Sequence, residues 1–98
     1  MSDPQDEPFR MVISDVAFVK SQGVLIMGHV ESGLLYPGDR IRIEGGKTLL
    51  ITRTRAFNIS QKIADVIQKD DDAAILLPKD VLREHVEAGM IVTKEADA

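Results

Sequence analysis

The chain has 98 residues, with 12 basic against 16 acidic side chains (net charge −4), 44% apolar and 29% charged residues, and neither cysteine nor tryptophan. At this length it forms one domain that buries roughly 60–65% of its unfolded surface, and ordinary apolar and charged fractions exclude wholesale disorder. The acidic balance weighs against autonomous nucleic-acid binding, which rests on neutralising phosphates, while the lack of cysteine excludes a disulfide scaffold, a thiol nucleophile and Cys-based zinc.

The first eight residues, acidic and bearing Pro4 and Pro8, read as a solvated tail, as do residues 95–98. Between them, residues 9–94 alternate period-2 segments with turn signals, the pattern of a small all-β barrel or sandwich. The first strand is predicted from Phe9 to Lys20. Ser21-Gln22-Gly23 turns into Val24–Glu31, where Val24, Ile26, Gly28 and Val30 share the inner face and Leu25, Met27, His29 and Glu31 the outer. A glycine on the inner face marks a tight bend. Pro37-Gly38 suits a type II turn, and Arg40–Glu44 alternates with Ile41 and Ile43 inward. Gly45-Gly46 is read as the two-residue link into Lys47–Phe57, with Leu49, Ile51, Arg53 and Arg55 on one side and Leu50, Thr52 and Thr54 on the other.

From Asn58 to Lys69, Ile59, Ile63, Val66 and Ile67 recur at three- to four-residue spacing, so periodicity prefers a short helix; an irregular crossover with a strand turn is the alternative. After Asp70-Asp71-Asp72, a solvated turn, Ala73–Leu77 is a short strand stopped by Pro78. Asp80–His85 reads as a helical turn and Met90–Lys94 as the last strand. Six strands with modest turns favour closure, which removes unpaired edges.

The ordered series Asp15-Val16, Gly23, Gly28-x-Val30-Glu31-x-Gly33 and Pro37-Gly38-Asp39-x-Ile41-x-Ile43, with Leu82-Arg83-Glu84-His85-Val86-Glu87-x-Gly89-Met90-Ile91-Val92-x-Lys94, resembles the second domain of translational GTPases, nearest to elongation factor Tu. The resemblance spans residues 9–94. It implies an all-β, closed six-stranded barrel of the translation-protein, or reductase–isomerase–elongation-factor, type. Those factors carry a separate nucleotide-binding domain with a Gly-rich phosphate loop. Here Gly45-Gly46-Lys47-Thr48 ends in Gly-Lys-Thr without the earlier glycine and lies between strands, so no GTP hydrolysis and no enzyme activity are expected.

In the aminoacyl-tRNA carriers of that family the first two strands hold the terminal adenosine of the tRNA. The matching positions are Ser14, Asp15, Ala17, Val19, Ser21, Leu25 and Met27. This chain has Ser14 for the family's Glu, Ala17 for Phe, Gln22 for Arg and Met27 for Thr, and those departures weigh against the tRNA-end role.

Two surfaces remain as interaction candidates. Ala17, Val19, Leu25 and Met27 form an outward apolar cluster, open to a partner unless segment 58–69 covers it. Arg40, Arg42, Lys47, Arg53 and Arg55 form a basic stripe, able to meet phosphate or an acidic protein, or else a solvated face paired with Glu44 and nearby acids. His29 and His85, distant in sequence, do not make a metal site. The reading is a cytoplasmic, non-catalytic binding module without cofactor or metal. Its partner would be a protein or ribonucleoprotein linked to translation, with no membrane role. The alternatives are an oligomerising structural module and a barrel for a nucleotide or flavin.

Overall fold

The computed structural model describes residues 7–46 and 48–95. The outer parts of both predicted tails, residues 1–6 and 96–98, lie outside the described residues, and so does Lys47. Among the described residues ten strands are present: β1 (Arg10–Val19), β2 (Gly23–Ser32), β3 (Leu34–Leu35), β4 (Arg40–Gly45), β5 (Thr48–Arg53), β6 (Ala56–Ile59), β7 (Lys62–Ala64), β8 (Ile67–Gln68), β9 (Asp72–Leu76) and β10 (Ile91–Lys94). A 3-10 turn, Arg83–His85, falls within the predicted helical turn.

The all-β class is observed; the closed six-stranded barrel is not. Eight strands form one antiparallel sheet in the order β5-β4-β10-β1-β2-β9-β6-β7, and β3 pairs with β8 in a separate two-stranded sheet. The ends of the large sheet, β5 and β7, are not joined by hydrogen bonds. The cause lies at Thr54-Arg55. What sequence reading took as one strand, Lys47–Phe57, divides there, β5 pairing with β4 and β6 with β9. The Thr54 N–H donates to the Asp39 carbonyl while the Arg55 N–H donates to the Leu76 carbonyl, so adjacent residues serve opposite neighbours. Strands first and seventh in the sheet order are thus only two residues apart in sequence, which forces the sheet to roll up without a closing ladder.

The rolled sheet encloses the anticipated interior. Val24, Ile26, Val30, Ile41, Ile43 and Ile75 are each no more than 1% exposed, joined by Met11, Ile13, Phe57 and Val92. Thr54, the buried polar residue at the corner, is fully bonded: its hydroxyl donates to the Tyr36 carbonyl (3.2 Å) and accepts from the Gly38 N–H (3.0 Å). That contact pins the predicted type II turn, in which Gly38 takes φ +92° and the Asp39 N–H donates to the Tyr36 carbonyl at 3.0 Å. The next turn falls one position later than expected. Gly45 pairs with Thr48 and so belongs to β4, which moves the start of the link from Gly45 to Gly46.

The helix preferred by periodicity between 58 and 69 is absent. The chain instead makes a hairpin, β6–β7, turning at Ser60-Gln61 with φ of 52° and 67°, and then the two-residue β8. Positive φ at both turn positions is the signature of a type I′ turn, whose twist matches a hairpin.

Candidate functional site

The β1–β2 hairpin supplies the first half of the site. Its register sets Asp15 against Met27, Ala17 against Leu25 and Val19 against Gly23. Between Ile13↔Gly28 and Asp15↔Met27 the pairing slips by one residue, leaving Ser14 as a bulge. The Ser14 hydroxyl turns back and donates to the Met27 carbonyl at 3.1 Å. On the far side β9 continues the same outer face, with Leu76 beside Leu25 and Ala74 beside Met27. Strand β6 adds Ala56 and Asn58, and β7 adds Ile63.

Two adjacent rows therefore cross the sheet: Ala17, Leu25, Leu76 and Ala56 in one, and Asp15, Met27, Ala74, Asn58 and Ile63 in the other. The Ser60-Gln61 turn rises beside them and makes the surface concave, giving a groove of about 590 Å³. Leu25, Met27 and Ala74 line its floor; Ser14, His29, Asp72 and Asn58 stand at its rim. Of the predicted apolar cluster, Leu25 and Met27 line the groove. Ala17 and Val19 (37% exposed) continue the same face toward the hairpin turn. Segment 58–69 flanks this surface through β6–β7 and leaves Ile63 84% exposed.

Sequence reading treated His29 and the Asp70–Asp72 run separately; the β2–β9 register sets them side by side. His29 Nδ1 lies 2.9 Å from Asp72 Oδ1, and Nε2 lies 3.6 Å from Asp70 Oδ1. The hydrogen bond to Asp72 is the largest influence and raises the imidazole pKa above its ordinary 6.5; partial desolvation opposes it, and the charges of both acids add to the rise. A raised folded-state pKa means that this contact stabilises the fold fully below the unfolded value of about 6.5, and that the gain is lost as pH climbs through the folded value. An NMR titration of the imidazole protons should place the His29 midpoint above 6.5, and Asp72→Asn should lower it; an unchanged midpoint in the variant would remove Asp72 as the cause. No group of three or more His, Cys, Asp or Glu among the described residues is placed to hold a metal ion.

The basic stripe is only partly assembled. Arg40 and Arg53 face each other across β4 and β5, with Arg42 on the same outer face. Arg42 Nε bonds Glu44 at 3.0 Å and its Nη1 lies 3.8 Å from Glu95. Arg53 Nη1 donates to the Gly38 carbonyl. Arg55 leaves the stripe altogether: its Nη1 donates to the Gln22 carbonyl at 2.9 Å, in the turn between β1 and β2. The predicted contribution of Lys47 lies outside the described residues. In sheet order, β10 and β1 separate the remaining arginines from β2 and the groove.

No protein-family model matches the chain. No helix among the described residues is long and apolar enough to cross a membrane. Several residues of this face escaped sequence reading: Asn58 and Ala74 in the groove, with Leu76 and Ile63 beside it, belong to strands whose register was not legible, and Asp72 entered only as part of an acidic run. The alternation of buried Phe57 with outward Asn58 was a usable signal for β6, but the spacing of isoleucines over 59–67 masked it.

Proposed function

We propose that the chain is a non-catalytic binding module that docks a partner through the outer face of β1, β2, β9 and β6. The observation that carries this reading is the open apolar floor of Leu25, Met27 and Ala74 in a groove of about 590 Å³, since apolar surface held in a concave, solvent-facing site is characteristic of ligand or partner recognition. The partner class is a protein or ribonucleoprotein of the translation apparatus. That assignment rests on the resemblance of residues 9–94 to the second domain of translational GTPases. The groove's ionisable neighbours, Asp15, Asp70 and Asp72 beside His29, favour a protein segment over a bare phosphate chain, because the local charge is negative.

Co-sedimentation with purified ribosomes, and with ribosome-bound translational GTPases, tests this directly. Met27→Asp places a charge on the groove floor at an outward, partly exposed position, and should weaken binding at least tenfold with the circular dichroism spectrum unchanged. Binding that is absent in the wild type, or equal in Met27→Asp, counts against the reading. The groove volume also falls within the range typical of small-molecule clefts, which keeps a nucleoside or flavin as the second reading. A thermal upshift with either compound that Met27→Asp abolishes would favour it.

A further inference from the structure

Strand β5 ends the sheet with β4 on one side and, among the described residues, no strand on the other. The Thr54 N–H points to Asp39 on the β4 side and the Arg55 N–H to Leu76 on the opposite side. Carried back along the strand at period two, this alternation directs the backbone N–H and C=O of Leu49 and Ile51 to the unpaired edge. Natural edges are blunted by shortness, lysine, proline or a bulge. The other end strand, β7, has three residues and carries Lys62. Thr48-Leu49-Leu50-Ile51-Thr52 has none of these guards, and Leu49 and Ile51 are 52% and 40% exposed on the outer face.

We propose that β5 pairs antiparallel with β5 of a second copy of this chain, with the two-fold axis at Leu50. The sequence supplies the reason for a second copy as occupant. Residues 48–52 read threonine, apolar, leucine, apolar, threonine in both directions. Rotation about Leu50 therefore sets Leu49 against Ile51 of the second copy, Thr48 against its Thr52, and Leu50 against its Leu50. Each side chain stays on its own face, and each pair is one that stabilises neighbouring strands. Such an interface is self-complementary, as two-fold symmetry requires. Leu49 and Ile51 supply the edge hydrogen bonds in both copies, two per pair. The outer-face arginines Arg40, Arg42 and Arg53 of both copies fall on one side of the joined sheet, so added salt strengthens association. Docking of the arginine stripe into the acidic groove of another copy would weaken with salt instead.

A pairing of two six-residue strands lies below the standard interface area of about 1,200–2,000 Å², in the class of weak, transient contacts. Sedimentation velocity on the full chain from about 5 to about 500 µM should show a monomer giving way to a dimer, more so at higher salt. Ile51→Lys and Leu49→Lys, both outward, should each raise the dissociation constant at least tenfold with melting temperature held within a few degrees. Because the chain has no cysteine, single-cysteine variants report the register. Leu50→Cys, facing its own copy at about 4.5 Å between Cα atoms, should cross-link under mild oxidation faster than Leu49→Cys or Ile51→Cys, whose symmetry mates are diagonal. A monomer at every concentration, a dimer that survives both lysine variants, a dimer weakened by salt, or fastest cross-linking at Ile51→Cys would overturn the assignment.

Discussion

Replacing Gly28 with alanine should cost the fold at least about 3 kcal/mol, seen as a fall in melting temperature of about 12–24 °C for a domain of this size. A Cβ at position 28 would stand 2.2 Å from the Val12 carbonyl oxygen and 3.1 Å from Met11 Cγ. The closest atom is backbone, held in the β1–β2 ladder, and cannot swing aside as a side-chain tip would. The site is where β1 bulges at Ser14 and crosses β2 tightly, so the clash falls on the element that also shapes the groove. Thermal unfolding followed by circular dichroism measures the loss. Ile63→Ala provides the control: at 84% exposed it should change stability by no more than about 0.5 kcal/mol. A Gly28→Ala melting temperature within a few degrees of wild type would mean that β1 slides at the bulge, and the close approach would then have no energetic weight.

Phe57→Ala should cost about 3–5 kcal/mol by removing a large side chain from a packed interior. Phe57 is 1% exposed and pairs across β6 with Ile75 of β9 and Ala64 of β7. It is the anchor that holds the β6–β7 hairpin to the sheet. The hairpin forms one wall of the groove, so the variant should lose ligand or partner binding along with stability. Denaturant unfolding gives the first quantity, and amide exchange localised to residues 56–64 gives the second effect its location. Fast exchange confined to that segment in a chain otherwise folded is the expected pattern; uniform acceleration would mean that the hairpin does not open separately.

Phe57 also marks where sequence reading and structure part. Strands with one buried face were legible, because Val24, Ile26 and Val30, or Ile41 and Ile43, alternate with neighbours that are less buried. Between 58 and 69 the same rule fails. Ile59 is half-buried in β6, Ile63 is 84% exposed in β7, and Ile67 is buried in β8 of the small sheet. Three isoleucines four residues apart imitate a helix stripe, although Ile63 points away from the core that Ile59 and Ile67 both reach. A type I′ turn is usually announced by glycine or asparagine; Ser60-Gln61 gives no such notice.

The candidate surfaces divide similarly. Leu25 and Met27 were readable as outward because they alternate with buried partners on the same strand. The rest of that face was hidden, since Ala74 and Leu76 acquire their position only from the pairing of β9 with β2, a contact spanning roughly fifty residues of chain. The meeting of His29 with Asp72 belongs to the same long-range register. Arg55 shows the converse: period two placed it in the arginine row, and the bend at the corner carried it to the Gln22 carbonyl. Closure itself was lost at that bend, which no local propensity encodes.

The place of β10 in the sheet has a consequence for the order of assembly. It lies between β1 and β4, yet it is last in chain order. A chain ordered only through residue 90 still has a vacant slot between its first and fourth strands, with two ladders waiting for the same segment, Ile91–Thr93 against β1 and Ile91–Lys94 against β4. Folding of the sheet is therefore expected to wait on that segment, and a chain cut after residue 90 should remain protease-sensitive, because β1 and β4 would each lack a neighbour on that side.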